Sequence, residues 1–133
     1  MNAKLAIGGV VLLLTVTVSS WAHHAFSAEF DVDRPVQLRG TIARVEFINP
    51  HSWFHIDVTE EDGTVTRWMI EGGTPNALFR RGVTQNSLPV GIEILVAGFR
   101  ALDGSNRANG RDMTFSDGRR IFLSGSSAAE RPQ

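Results

Sequence analysis

The chain contains no cysteine, no tyrosine and only one lysine, Lys4, among its 133 residues. Without cysteine there is no disulfide staple, no thiolate nucleophile and no lipoprotein anchor behind a leader, so burial alone must hold the fold and any metal must be held by nitrogen and oxygen. Without tyrosine there is no axial ligand of the kind an oxidative copper enzyme would use, and no serine or threonine stands in a recognisable nucleophile motif. An enzyme is therefore not expected. Thirteen basic residues face 14 acidic ones, a formal net charge of −1, which excludes the polybasic surface that phosphate neutralisation requires; no nucleic-acid partner is expected. The longest apolar run, Leu5 to Val18, falls short of the roughly 20 residues that cross a bilayer.

What is present begins with that run. Lys4 supplies a positive start, Leu5 to Val18 an apolar middle, and Ser20-Trp21-Ala22 small residues at the two positions a signal peptidase reads, predicting an export signal over 1–22 cut after Ala22. The product would be periplasmic or secreted, with no stable membrane anchor after the cut, and at about 110 residues is one domain large enough for a single core. The expected divisions are a signal peptide at 1–22, an N-terminal arm at 23–35, one domain at 36–124 and a flexible tail at 125–133.

The domain reads as mainly β. The arm is polar, with Phe26 and Phe30 spaced to anchor on something. Val36 to Phe47 is rich in β-formers, and its alternation slips near Gly40 to Arg44, predicting a bulge in a long first strand ended by Pro50. Ser52 to Thr59 alternates cleanly, placing Phe54, Ile56 and Val58 on the core face and Trp53, His55 and Asp57 on the other. Glu61-Asp62-Gly63-Thr64 is a hairpin signal, and Val65 to Ile70 returns with Trp68 and Ile70 inward. Thr74 as cap, Pro75 at the first helical position, the apolar Ala77-Leu78-Phe79, Arg80-Arg81 and a Gly82 stop then predict a helix of about two turns. Ile92 to Ala101 is a strand, and Arg111 to Phe115 with Arg119 to Leu123 form a final hairpin. Leu38, Ile42, Leu78, Ile94, Val96, Met113 and Phe115 join the core list. Three strands, a helix and two or three more strands is the order of a small OB-like barrel of five to six strands, with the helix between the third and fourth.

The motifs His-His-Ala-Phe-Ser-Ala-Glu-Phe-Asp at 23–31, Gly40-Thr41 with Val45-Glu46, Asn49-Pro50-His51-Ser52-Trp53, Trp68 with Glu71-Gly72-Gly73-Thr74-Pro75-Asn76, and Arg80-Arg81-Gly82 resemble a family of short exported bacterial proteins of unknown function. The resemblance spans nearly all of the chain beyond Ala22. It implies the same exported single-domain architecture and brings no activity with it.

All four histidines fall in two clusters, His23-His24 and His51/His55. A cut after Ala22 leaves His23 carrying the free α-amine, and copper(II) favours amine and imidazole nitrogen. His23, His24 and His51 are accordingly the candidate metal ligands and copper the candidate cofactor, with His51 set beyond Pro50 at a strand edge where it can turn towards the arm. On a straight strand His51 and His55 stand about 13 Å apart along the backbone, too far to share an ion. Trp53, His55 and Asp57 make a candidate ligand face. The plainer alternative leaves the N-terminal histidines solvated, has His51 hold a loop by bonding a backbone carbonyl, and makes Trp53 and the arginines an ordinary amphipathic sheet face. Glu71-Gly72-Gly73 lacks the spacing of a phosphate loop and reads as a tight strand-to-helix turn. Two function classes follow: an exported metal-binding protein, with copper as the expected metal, or a metal-free module that binds a small ligand, a cell-wall component or a partner protein.

Overall fold

The computed structural model describes residues 25–124. The expected signal peptide at 1–22, His23, His24 and the expected tail at 125–133 lie outside the described residues. Six strands form one ring-like sheet: β1 (Phe30–Glu46), β2 (Trp53–Thr59), β3 (Val65–Glu71), β4 (Glu93–Ala101), β5 (Arg107–Phe115) and β6 (Arg120–Phe122). Their order is β3-β2-β1-β4-β5-β6, all antiparallel neighbours, and a parallel pairing of β3 with β5 brings the sheet round on itself. The mainly-β, OB-like order expected from the sequence is what forms, with helix α1 (Pro75–Arg80) between β3 and β4.

The long first strand serves two partners because it bends. Its outer part pairs with β4 and its inner part with β2, and the register with β2 shifts between Ile42 and Arg44, where the alternation slips in the sequence. Gly40 lies at this bend. A Cβ there would sit 2.6 Å from the Asp57 carbonyl oxygen, so only glycine lets β1 and β2 approach this closely. β1 begins at Phe30, six residues before the expected Val36, and thus takes in the end of the polar arm. Phe30 pairs with Ala101 and Pro35 with Phe99, with a shift between; Pro35 has no N–H to donate and tolerates such an irregular edge. β5 likewise begins at Arg107 rather than at Arg111. Gly110 must be small because the ring closes there: a Cβ on it would meet Ile70 at 2.7 Å and Leu123 at 2.8 Å.

Helix α1 carries its start and stop in its sequence. The Thr74 hydroxyl accepts from the Ala77 N–H at 3.3 Å and Pro75 occupies the first turn. At the other end Gly82 takes φ +78°, its N–H bonds the Phe79 carbonyl, and the Val83 N–H bonds the Leu78 carbonyl at 3.0 Å, the double bond of a Schellman stop. Leu78 and Val83 are both buried, so the stop also pins the helix to the core. That core holds Ile42, Phe54, Ile56, Trp68, Ile70, Leu78, Ile94, Val96, Met113 and Phe115 as expected, with Leu38 and Val58 packed at its margin. Val45, Val83, Leu88, Ala108 and Leu123 complete it among the described residues.

Candidate functional site

The hairpin register sets the site. Around the Asp62-Gly63 turn, Trp53 falls opposite Glu71 and Phe54 opposite Ile70. One step further out the two chains stay clamped: the Ser52 N–H donates to the Gly73 carbonyl at 3.0 Å, and the Gly72 N–H to the Ser52 carbonyl at 2.8 Å. Gly72 must be small, since a Cβ would lie 2.6 Å from the Phe54 ring. The clamp holds His51 beside Glu71, and the imidazole Nδ1 lies 2.7 Å from the Glu71 Oε1. His51 thus bonds a carboxylate and not the backbone carbonyl of the plainer reading.

Strand alternation assigns Glu71 to the side of Met69, away from the core, yet its side chain is only 8% exposed while that of His51 is 50% exposed. Residues of the 25–30 segment line a cavity together with Glu71 at this end of the sheet. Phe26 packs on Phe30, with centroids 5.7 Å apart, and edge-on to Phe99 of β4 at 6.2 Å, which is the anchorage its spacing predicted. The Leu102 N–H bonds the Glu29 carbonyl at 2.9 Å, and Arg107 reaches Glu29 at 3.2 Å. The same guanidinium lies 5.9 Å from the Phe30 ring centroid and 5.7 Å from that of Trp53. Burial pushes the Glu71 carboxyl above its ordinary value, against the pull of His51, with Glu29 adding to the rise and Arg107 opposing it.

Between the arm and the sheet is a cavity of about 490 Å³, within the usual size of a small-molecule site. Phe26 and Phe30 form one wall and His51 and Glu71 another, and the helix end at Arg80 contributes to the rim. Ala25 also borders it.

His55 is arranged the other way round. Its side chain is 13% exposed, and its Nε2 lies 2.7 Å from the Glu46 Oε2. Glu46 also holds Arg44. The His55 hydrogen bond lowers the Glu46 carboxyl below its ordinary value despite some desolvation, and Arg44 adds to the fall. The rest of the expected ligand face is similarly engaged within the chain: Asp57 pairs with Arg67 directly across the β2–β3 ladder, and Trp53 carries Arg107. His51 and His55 therefore belong to separate carboxylate pairs. Among the described residues no group of three or more His, Cys, Asp or Glu is placed to hold a metal ion.

The two carboxylate partners, Glu71 and Glu46, were not among the residues singled out as ligands or as their supports. The Glu71 pairing was available from hairpin arithmetic alone, because a turn at Asp62-Gly63 sets residues near 52 opposite residues near 72.

This chain belongs to a family of unknown function, DUF6152, whose sequence model matches residues 10–110. No curated protein and no solved structure matches it.

Proposed function

We propose that this chain is an exported, periplasmic or secreted binding protein, not an enzyme, and that it takes copper(II) through His51 together with the His23-His24 start of its processed form. The observation that carries the reading is the state of His51: half exposed, at the wall of a cavity, with Nδ1 committed to a buried carboxylate. A ring that donates through Nδ1 keeps the Nε2 lone pair for a metal, and a carboxylate behind a ligating histidine fixes its tautomer and raises its basicity. Ala25, which borders the same cavity, directly follows His24 in sequence. In this reading His51 supplies one nitrogen, and the α-amine and ring of His23 supply others, with His24 adjacent. The protein would act in copper carriage, sensing or sequestration.

Because an amine must lose its proton to bind, affinity should fall as the pH drops and should collapse when any residue precedes His23. The test is copper titration with electron paramagnetic resonance on the processed protein, on a form with one added N-terminal Met, and on His51→Ala. Weaker binding by both altered forms, with loss of nitrogen hyperfine structure, supports the reading. Equal binding by all three defeats it.

A second reading is favoured by the cavity itself, which at about 490 Å³ is far larger than an ion needs. On that view the protein is a metal-free module and the cavity holds a small organic ligand.

A further inference from the structure

Of the ionisable side chains that line the cavity, all but one are engaged with a partner. Glu29 is answered by Arg107 at 3.2 Å, and Glu71 by His51 at 2.7 Å. Arg80, the last residue of α1, also lines the cavity, and its guanidinium makes no ion pair or hydrogen bond among the described residues. Two further polar side chains on the lining lack partners. Among the described residues the Ser124 hydroxyl is buried with no hydrogen bond, and the Asn109 carboxamide, half buried opposite Glu71 in the β3–β5 register, makes none. A buried hydroxyl left without a partner is costly, so an unpaired one on a cavity wall points to something that fills the cavity. Guanidinium, hydroxyl and carboxamide can all donate. Phe26 and Phe30 add apolar rings to the same lining.

We propose that the cavity binds a small organic carboxylate, its anionic end taken by Arg80 with Asn109 and Ser124 donating, and its hydrocarbon or aromatic body lying against Phe26 and Phe30. This rests on the metal-free reading of the cavity and needs no copper. Arg80 supplies the charge recognition, because a planar guanidinium matches a carboxylate in two parallel hydrogen bonds. Of the two carboxylates already present, Glu29 has its own cation in Arg107 and Glu71 has the His51 imidazole against it.

The test uses phenylacetate as probe and phenylacetamide as its uncharged counterpart, titrated by calorimetry into the full exported chain in the presence of EDTA. Arg80→Gln is compared with Arg39→Gln, whose partner is the exposed Glu93 away from the cavity, and circular dichroism checks that each variant is folded. The proposal expects saturable phenylacetate binding, at least tenfold weaker binding of the amide, and a similar loss in Arg80→Gln but not in Arg39→Gln. Equal binding of acid and amide, undiminished in Arg80→Gln, overturns the carboxylate assignment while leaving the cavity as a ligand site. Binding of neither probe overturns the carboxylate assignment and the metal-free reading together.

Discussion

Two histidine–glutamate pairs sit at one end of the same hairpin and are built in opposite senses. In the first the carboxylate is buried and the imidazole faces outward, Glu71 at 8% exposure against His51 at 50%. In the second the imidazole is the more enclosed partner, His55 at 13% against Glu46 at 26%, and Arg44 holds the carboxylate from the other side. The ring nitrogens differ too: His51 spends Nδ1 on its glutamate, and His55 spends Nε2. The lesson is that hydrogen bonding alone does not mark a site. A pair that ends in a second cation is closed on itself and ties two strands together, whereas a pair that buries its acid and exposes its imidazole leaves the other ring nitrogen unspent.

The largest effect tests what the pairs share. Phe54 lies on β2 between the two histidines, fully buried, beneath Gly72 and edge-on to Phe47 at 6.5 Å. Phe54→Ala should cost about 3–5 kcal/mol in urea unfolding and disturb both pairs; a cost below about 1 kcal/mol would mean that they do not depend on a common floor. The core neighbour Ile56→Ala should lose about 2–5 kcal/mol with less disturbance of the Gly72 contact.

Next comes His51→Ala, which strands a buried acid. Burial already raises the Glu71 carboxyl, and the sign follows. An acid whose folded-state value lies above its unfolded value of about 4.3 favours folding fully below that value, and the contribution is lost as the pH rises through the folded one. Stability measured against pH should therefore show little difference between His51→Ala and wild type in acid, and a deficit of about 1–3 kcal/mol near neutrality. Adding Glu71→Gln should close that deficit. A deficit independent of pH, unaffected by Glu71→Gln, would place the cost in packing.

His55→Ala should be milder, about 1 kcal/mol, and should leave ligand or copper binding unchanged, since its pair is closed by Arg44. Any loss of binding in His55→Ala comparable to that in His51→Ala would erase the distinction between the pairs. Smallest of all is Arg44→Gln. An exposed arginine on a carboxylate contributes little, so thermal unfolding should barely move.

Much of this end of the molecule was readable in advance. The clean alternation of Trp53 to Thr59, the Asp62-Gly63 turn, the slipped phase at Gly40 to Arg44 and the Thr74/Gly82 limits of the helix are local signals, and each maps onto an observed element. The early starts of β1 and β5 were not readable, because Asp31, Asp33 and Arg34 look like a polar arm, and Arg107-Ala108-Asn109-Gly110 has little strand preference. Both stretches are strands through pairing with distant partners, Phe30 with Ala101 and Ile70 with Ala108, a tertiary effect that overrides local tendency. The same long reach hid the character of Glu71. Period-two reasoning puts it on the outward face, and distant partners enclose it: β5 pairs with it at Asn109, and residues 25–30, held by Arg107 on Glu29, border the same cavity.

The most direct test of the account reads the two rings themselves. Long-range proton–nitrogen correlation spectra of the imidazoles, recorded at a pH where both rings are neutral, report which nitrogen carries the proton. The account predicts opposite tautomers, with His51 protonated at Nδ1 and its Nε2 bare, and His55 protonated at Nε2. Finding His51 protonated at Nε2, in the same form as His55, would contradict it, because the outward nitrogen would then have no lone pair to offer and Glu71 would not be the group that orients the ring.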